Sequence, residues 1–130
     1  MTKVLLVGCG GFVGSVLRYL LGTLVQQWSR RDDFPFGTLA VNVIGCLIIG
    51  VFAGITRPDG GFVVSPIVRQ AVMVGFLGGF TTFSSFSLQT LSLMGDGEWG
   101  YAIWNIVSSV VLCMLAVWAG QTLVLQLTKG

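Results

Sequence analysis

Charge is what this sequence has least of. Of its 130 residues only 9% are Asp, Glu, Lys or Arg, whereas a soluble domain carries about a quarter. So few charges could not clothe a water-facing surface, which excludes an ordinary soluble enzyme or binding module. Histidine is absent altogether, and with it the usual general base and metal ligand. The three cysteines, Cys9, Cys46 and Cys113, each fall inside apolar sequence with no paired spacing. That argues against a disulfide scaffold or a zinc site and for small apolar filler. Net charge is only +2, and the basic pair Arg30-Arg31 is followed at once by Asp32-Asp33, so nothing favours nucleic acid as a partner. The acidic residues Asp32, Asp33, Asp59, Asp96 and Glu98 all lie between the apolar runs. Proton-coupled carriers usually depend on an intramembrane carboxylate, and many cation channels use carboxylate rings. Neither device is available here.

What is present is hydrocarbon-length apolar sequence: 54% hydrophobic residues and a mean hydropathy of +0.88. An all-α integral membrane protein of one domain over 1–130 is expected, with four transmembrane helices at about 4–25, 37–55, 66–94 and 101–127. Each run is long enough for the roughly 30 Å of a bilayer core. The first lacks the short core and small-residue cleavage site of a signal peptide, so it reads as a membrane helix. Off the helix interiors, one side collects Lys3, Arg57, Arg69 and Lys129 and the other Arg30 and Arg31. So weak a bias leaves either insertion open. The intervening loops are read as 26–35, 57–61 (a Pro-Asp-Gly turn signal) and 95–100, with Trp28 suited to an interface belt.

Polar residues inside these runs are the candidates for function. In the first helix, Gly10 and Gly14, and Gly11 and Ser15, have the spacing of closely packed helices. Arg18 shares a face with Gly14 and Gly22. It is either a functional charge facing water or an interfacial anchor that fixes helix depth. The second helix carries Thr38, Asn42, Gly45 and Cys46 along one face. Spacing alone favours Asn42 as interhelical glue, with a donor lining an anion path as the other reading. The third contains Gly75–Phe86, GFLGGFTTFSSF. Its glycine pair Gly78-Gly79 weakens a helix by roughly 1 kcal/mol per residue, hydroxyls follow at Thr81, Thr82, Ser84 and Ser85, and Phe76, Phe80, Phe83 and Phe86 recur at spacings that stack rings on one face. A helix broken there would free backbone groups that lipid cannot satisfy, which is how several transporters build ion sites. In the fourth, Tyr101, Asn105, Ser109 and Cys113 recur every four residues as a polar track. Hydroxyls, amides, one arginine and aromatic edges suit an anion, because ring edges are positive. The chain reads as a transport protein and not as an enzyme.

These motifs together resemble the Fluc (CrcB) fluoride channels over nearly the whole chain: GGFVGSVLRY at 10–19, TLAVNVIGC at 38–46, GFLGGFTTFSSFS at 75–87 and NIVSSVVLC at 105–113. The resemblance implies a multi-pass protein of a bacterial-type plasma membrane that passively exports fluoride. It implies an antiparallel, dual-topology homodimer with two pores, each using both subunits. Phe83 and Phe86 match the rings whose edges face fluoride, and Asn42 matches the asparagine that donates to it. Thr38, Asn105, Ser109 and Cys113 fall along the pore, and Arg18 at its vestibule. Gly78 and Thr81 match the backbone carbonyls that hold a structural sodium ion at the dimer centre. The chain departs from the family in having Gln89 where a glutamate is frequent, Asn105 where a tyrosine is frequent and Cys113 where a serine is frequent. A four-helix proton-coupled exporter and a non-transporting membrane scaffold remain the alternative readings.

Overall fold

The computed structural model describes residues 1–57 and 62–129. The turn signal at 57–61 therefore lies, from Pro58 to Gly61, outside the described residues. Helix α1 is Thr2–Ser29 and α2 is Phe36–Ile55. The third segment comprises α3, residues 66–80, and α4, Phe83–Gly95. The last helix, α5, is Trp99–Lys129. Four of these stretches, Thr2–Ser29, Phe36–Ile55, Pro66–Gly95 and Trp99–Thr128, are long and apolar enough to cross a membrane.

The outer helices run further than the hydropathy marks. Residues 26–29, expected in a loop, continue α1, which ends where Arg30 turns left-handed at φ 51°. Gln26 explains the extra turn. Its Nε2 donates to the carbonyls of Arg31 (2.6 Å) and Phe34 (3.0 Å), while its Oε1 accepts from Gly37 N (3.0 Å). One amide thus satisfies three backbone groups of the α1–α2 connection. At 28 residues and 1.5 Å per residue, α1 is about 42 Å long and overreaches the bilayer core.

Burial is inverted relative to a soluble protein. Large apolar side chains such as Phe12, Leu88 and Trp104 are exposed, whereas the buried positions include Thr82, Thr90, Asn105, Ser108 and Ser109. Lipid is as apolar as leucine, so helices gain by approaching closely and by pairing polar groups. The close approaches are made through glycine. A Cβ on Gly14 of α1 would collide with the Phe76 carbonyl of α3, and one on Gly79 would lie 2.5 Å from the Gly11 carbonyl. The four-residue spacing in α1 is therefore a packing face against α3. The pairing of α2 with α5 relies on Gly50, whose added Cβ would strike the Val117 carbonyl.

Inside α3 the residues Ala71–Leu77 form a wide π turn, a feature that often accompanies functional sites. Gly78 and Gly79, expected as the weak point, remain helical through Phe80. The extended residues are instead Thr81 (φ −86°, ψ 156°) and Thr82 (φ −149°, ψ 115°). Gly79 serves contact with α1 while Gly78 is exposed, and neither carries the irregular backbone.

Candidate functional site

Two backbone groups decide the geometry at residues 81–82. Thr81 N still donates to Leu77 O at 2.9 Å. Thr82 N does not continue that ladder: it donates to Asn42 Oδ1 at 2.8 Å, while Asn42 Nδ2 donates to Thr82 O at 3.0 Å. The carboxamide of α2 thus stands in for a peptide neighbour and satisfies both polar groups of an extended residue. The carbonyl of Gly78 loses the i+4 donor a continuous helix would supply. Thr82 then opens α4 as its N-cap, its Oγ1 accepting from Ser85 N at 3.2 Å. Ser84 and Ser85 hydroxyls lie at 3.2 and 3.1 Å from the same oxygen.

Beside this junction is a recess of about 330 Å³ whose wall includes Asn42, Phe83, Phe86, Ser109, Cys46 and Cys113. Among the described residues, no charged side chain lines it. The Phe83 and Phe86 rings are 5.3 Å apart and tilted by 50°. Phe76 and Phe80 stack separately at 6.1 Å. Phe80 is buried and Phe83 is 78% exposed, so the four rings form two pairs and not one stripe. The two extended threonines between Phe80 and Phe83 interrupt the helical spacing on which a single stripe depends.

A second, larger cavity of about 820 Å³ is lined by residues including Arg18, Thr38, Thr82, Gln89, Asp32 and Asp96. Arg18 Nη1 reaches Thr81 O at 3.4 Å. Thr82 belongs to both linings, so the junction separates an apolar recess from a charged cavity. Gln89 Oε1 is buried there without a hydrogen-bond partner among the described residues.

Of the residues singled out from sequence, Asn42, Thr81, Phe83, Phe86, Ser109 and Cys113 come together at the recess. Thr38 and Arg18 lie on the larger cavity instead. Asn105 faces neither. It is 2% exposed, and its Nδ2 donates to Thr90 Oγ1 at 2.9 Å, tying α5 to α4. The every-four ladder divides because each step of four drifts about 40° around a helix of 3.6 residues per turn. Over twelve residues, Tyr101 comes to face Phe34, Asn105 to face α4, and Ser109 and Cys113 to face the recess. Two participants were not singled out as site residues. Thr82 offers no sequence signal beyond its hydroxyl neighbours, and Cys46, four residues from Asn42 on one helical face, reads from sequence as small apolar filler.

A family model described as CrcB-like protein, Camphor Resistance (CrcB), matches residues 5–121. The chain belongs to the CrcB family. A relative from Opitutus terrae named fluoride-specific ion channel FluC is 54% identical over 121 residues, covering 93% of this chain and 91% of its own. Relatives of the same name from Rhodospirillum rubrum (45% identical, 97% of each chain) and Paramagnetospirillum magneticum (49% identical, 93% and 94%) extend the likeness. Membership in the CrcB family thus spans all four membrane-crossing stretches, including the junction at Thr81-Thr82.

Proposed function

We propose that this chain is a fluoride-selective channel for passive export of cytoplasmic fluoride across a plasma membrane. The observation that carries this reading is the uncharged recess of Phe83, Phe86, Ser109 and Asn42 beside the junction. An anion entering it meets positive ring edges, the second N–H of the Asn42 amide, since only one is used on Thr82, and the Ser109 hydroxyl once it turns from its long, 3.5 Å contact with Asn105 Oδ1. These donors replace part of a hydration shell without a full charge that would trap the ion. The names borne by the relatives agree with fluoride as that anion. Arg18, with its guanidinium on the larger cavity, would draw anions toward the junction. An inside-negative membrane potential drives anions outward with no coupling ion.

The working unit in this proposal is an antiparallel, dual-topology homodimer of single four-helix domains with two pores. The small charge difference between the two ends of the helices permits insertion in both senses, and Phe83 and Gly78 are exposed on the single chain. A structural sodium ion at the dimer centre fits the donor set. The Gly78 carbonyl lacks its helical donor because Thr82 N is bonded to Asn42, and the Thr81 carbonyl keeps a lone pair beside its contact with Arg18. Uncharged carbonyl oxygens are the hard ligands such an ion takes. When bound, it would hold the interrupted backbone together by neutralising carbonyl dipoles.

The test is efflux from liposomes followed with a fluoride electrode, with chloride-loaded and proton-clamped vesicles in parallel. Rapid fluoride efflux, without chloride efflux or dependence on a proton gradient and lost in Phe83→Ile, is the expected result. Flux that requires a proton gradient would replace the channel with a coupled exporter. Silent vesicles containing folded protein would leave only a scaffold.

A further inference from the structure

The recess also holds sulfur. Cys46 on α2 and Cys113 on α5 line the same wall, each one helical turn before the close contact of Gly50 with the Val117 carbonyl that joins the two helices. The thioether of Met114 lies on that wall too. Cys9, by contrast, is exposed on α1 and outside the recess. We propose that Cys46 and Cys113 form a two-coordinate site for divalent mercury, Hg2+, in the wall of the recess.

Three properties select this ion. Sulfur is a soft donor and prefers soft metals. Only two thiols converge, and among the described residues no group of three His, Cys, Asp or Glu could hold a metal. Zinc, which takes four ligands in closed sites, is therefore poorly served, whereas Hg2+ is satisfied by two sulfurs in line. Charge disfavours the monovalent soft ions: silver or copper(I) between two thiolates leaves a fixed net anion, unlike a fluoride in passage, and among the described residues the lining has no cation to offset it. With Hg2+ each thiol releases its proton to water, two S–Hg bonds form, and nothing is oxidised or reduced. The product is neutral, as an uncharged wall requires. A metal seated there would also occupy the space beside Phe83 and Phe86, so it should stop the ion that passes them. This last step rests on the recess being the fluoride path.

The experiment begins with purified Cys9→Ala protein in detergent, titrated with mercuric chloride. Sulfur–mercury charge-transfer absorbance is followed while free thiols are counted with a maleimide. The expected result is saturation at one metal per chain with both thiols protected. Cys46→Ala and Cys113→Ala, each on the same background, should bind about a hundredfold more weakly, as loss of one arm of a bidentate grip implies. Two metals per chain, or single variants of undiminished affinity, would overturn the paired site. In liposomes, one equivalent should slow fluoride efflux about tenfold or more, as occlusion of a narrow path implies. A dithiol chelator should restore it, with every variant compared against its own untreated rate. Bound mercury with unchanged efflux would overturn the block. Absence of efflux before any mercury is added would overturn the channel reading, and the titration alone then decides the metal site.

Discussion

Helix α4 is tied to the rest of the protein by two asparagines, and the ties differ in kind. Asn42 bonds the backbone of Thr82 through both ends of its amide, at 2.8 and 3.0 Å. Asn105 bonds a side chain, Thr90 Oγ1, at 2.9 Å, and that hydroxyl also donates to Phe86 O at 2.7 Å. Removing the first partner strands two peptide groups that no rotation can redirect, in a region where lipid offers nothing. Removing the second leaves a hydroxyl that already has an acceptor. Spacing alone reads Asn42 as interhelical glue and Asn105 as one rung of a polar track, and neither reading says which groups each amide serves.

Near-isosteric leucine substitutions should expose that difference. Asn42→Leu is expected to have the largest effect, about 1–3 kcal/mol for each of the two stranded groups. Denaturant titration in detergent would measure the loss, and fluoride efflux should disappear with it, because the Thr81-Thr82 backbone and the donor to the ion are lost together. A variant as stable as the parent would mean that Thr82 finds other partners. Thr82→Val comes next. It keeps the branched shape and removes the N-cap oxygen that accepts from Ser85 N, for about 1 kcal/mol.

Much of this arrangement could be read in the sequence, but at the level of segments and faces. The four membrane-crossing stretches follow from apolar length, and the glycines of α1 announce a close partner by their spacing. Helix ends are less legible, because a single polar side chain, Gln26, extends α1 by capping a loop that hydropathy treats as outside. The glycine pair at 78–79 draws attention by its low helix propensity, yet it stays helical, with Gly79 packed closely against Gly11 of α1. The extended residues fall at Thr81 and Thr82, whose conformation depends on an asparagine forty residues away. A tertiary bond of that kind leaves no local mark. The same holds for the ladder on α5, whose repeat of four is visible while the drift that divides it between α4 and the recess emerges only in three dimensions.

Asn105→Leu sharpens the comparison from the other side. With Thr90 still bonded to Phe86 O, the loss should be about 0.6 kcal/mol, the average for interhelical hydrogen bonds in membranes. The same detergent titration would detect it, and a loss as large as that of Asn42→Leu would erase the distinction between backbone and side-chain ties.

Gln89 supplies the smallest effect and reverses its sign. Its Oε1 is buried beside the larger cavity without a donor, and a buried acceptor left unmade costs about 1–3 kcal/mol of desolvation. Gln89→Met, close in shape and free of that acceptor, should therefore leave the protein no less stable, with its unfolding midpoint unchanged or raised. If stability instead falls by as much as in Asn105→Leu, the Gln89 amide already has a partner in the assembled protein. In the proposed dimer that partner would come from the second subunit. Repeating the titration at increasing dilution, where dimer gives way to monomer, would then make the loss depend on concentration in the parent and not in the variant.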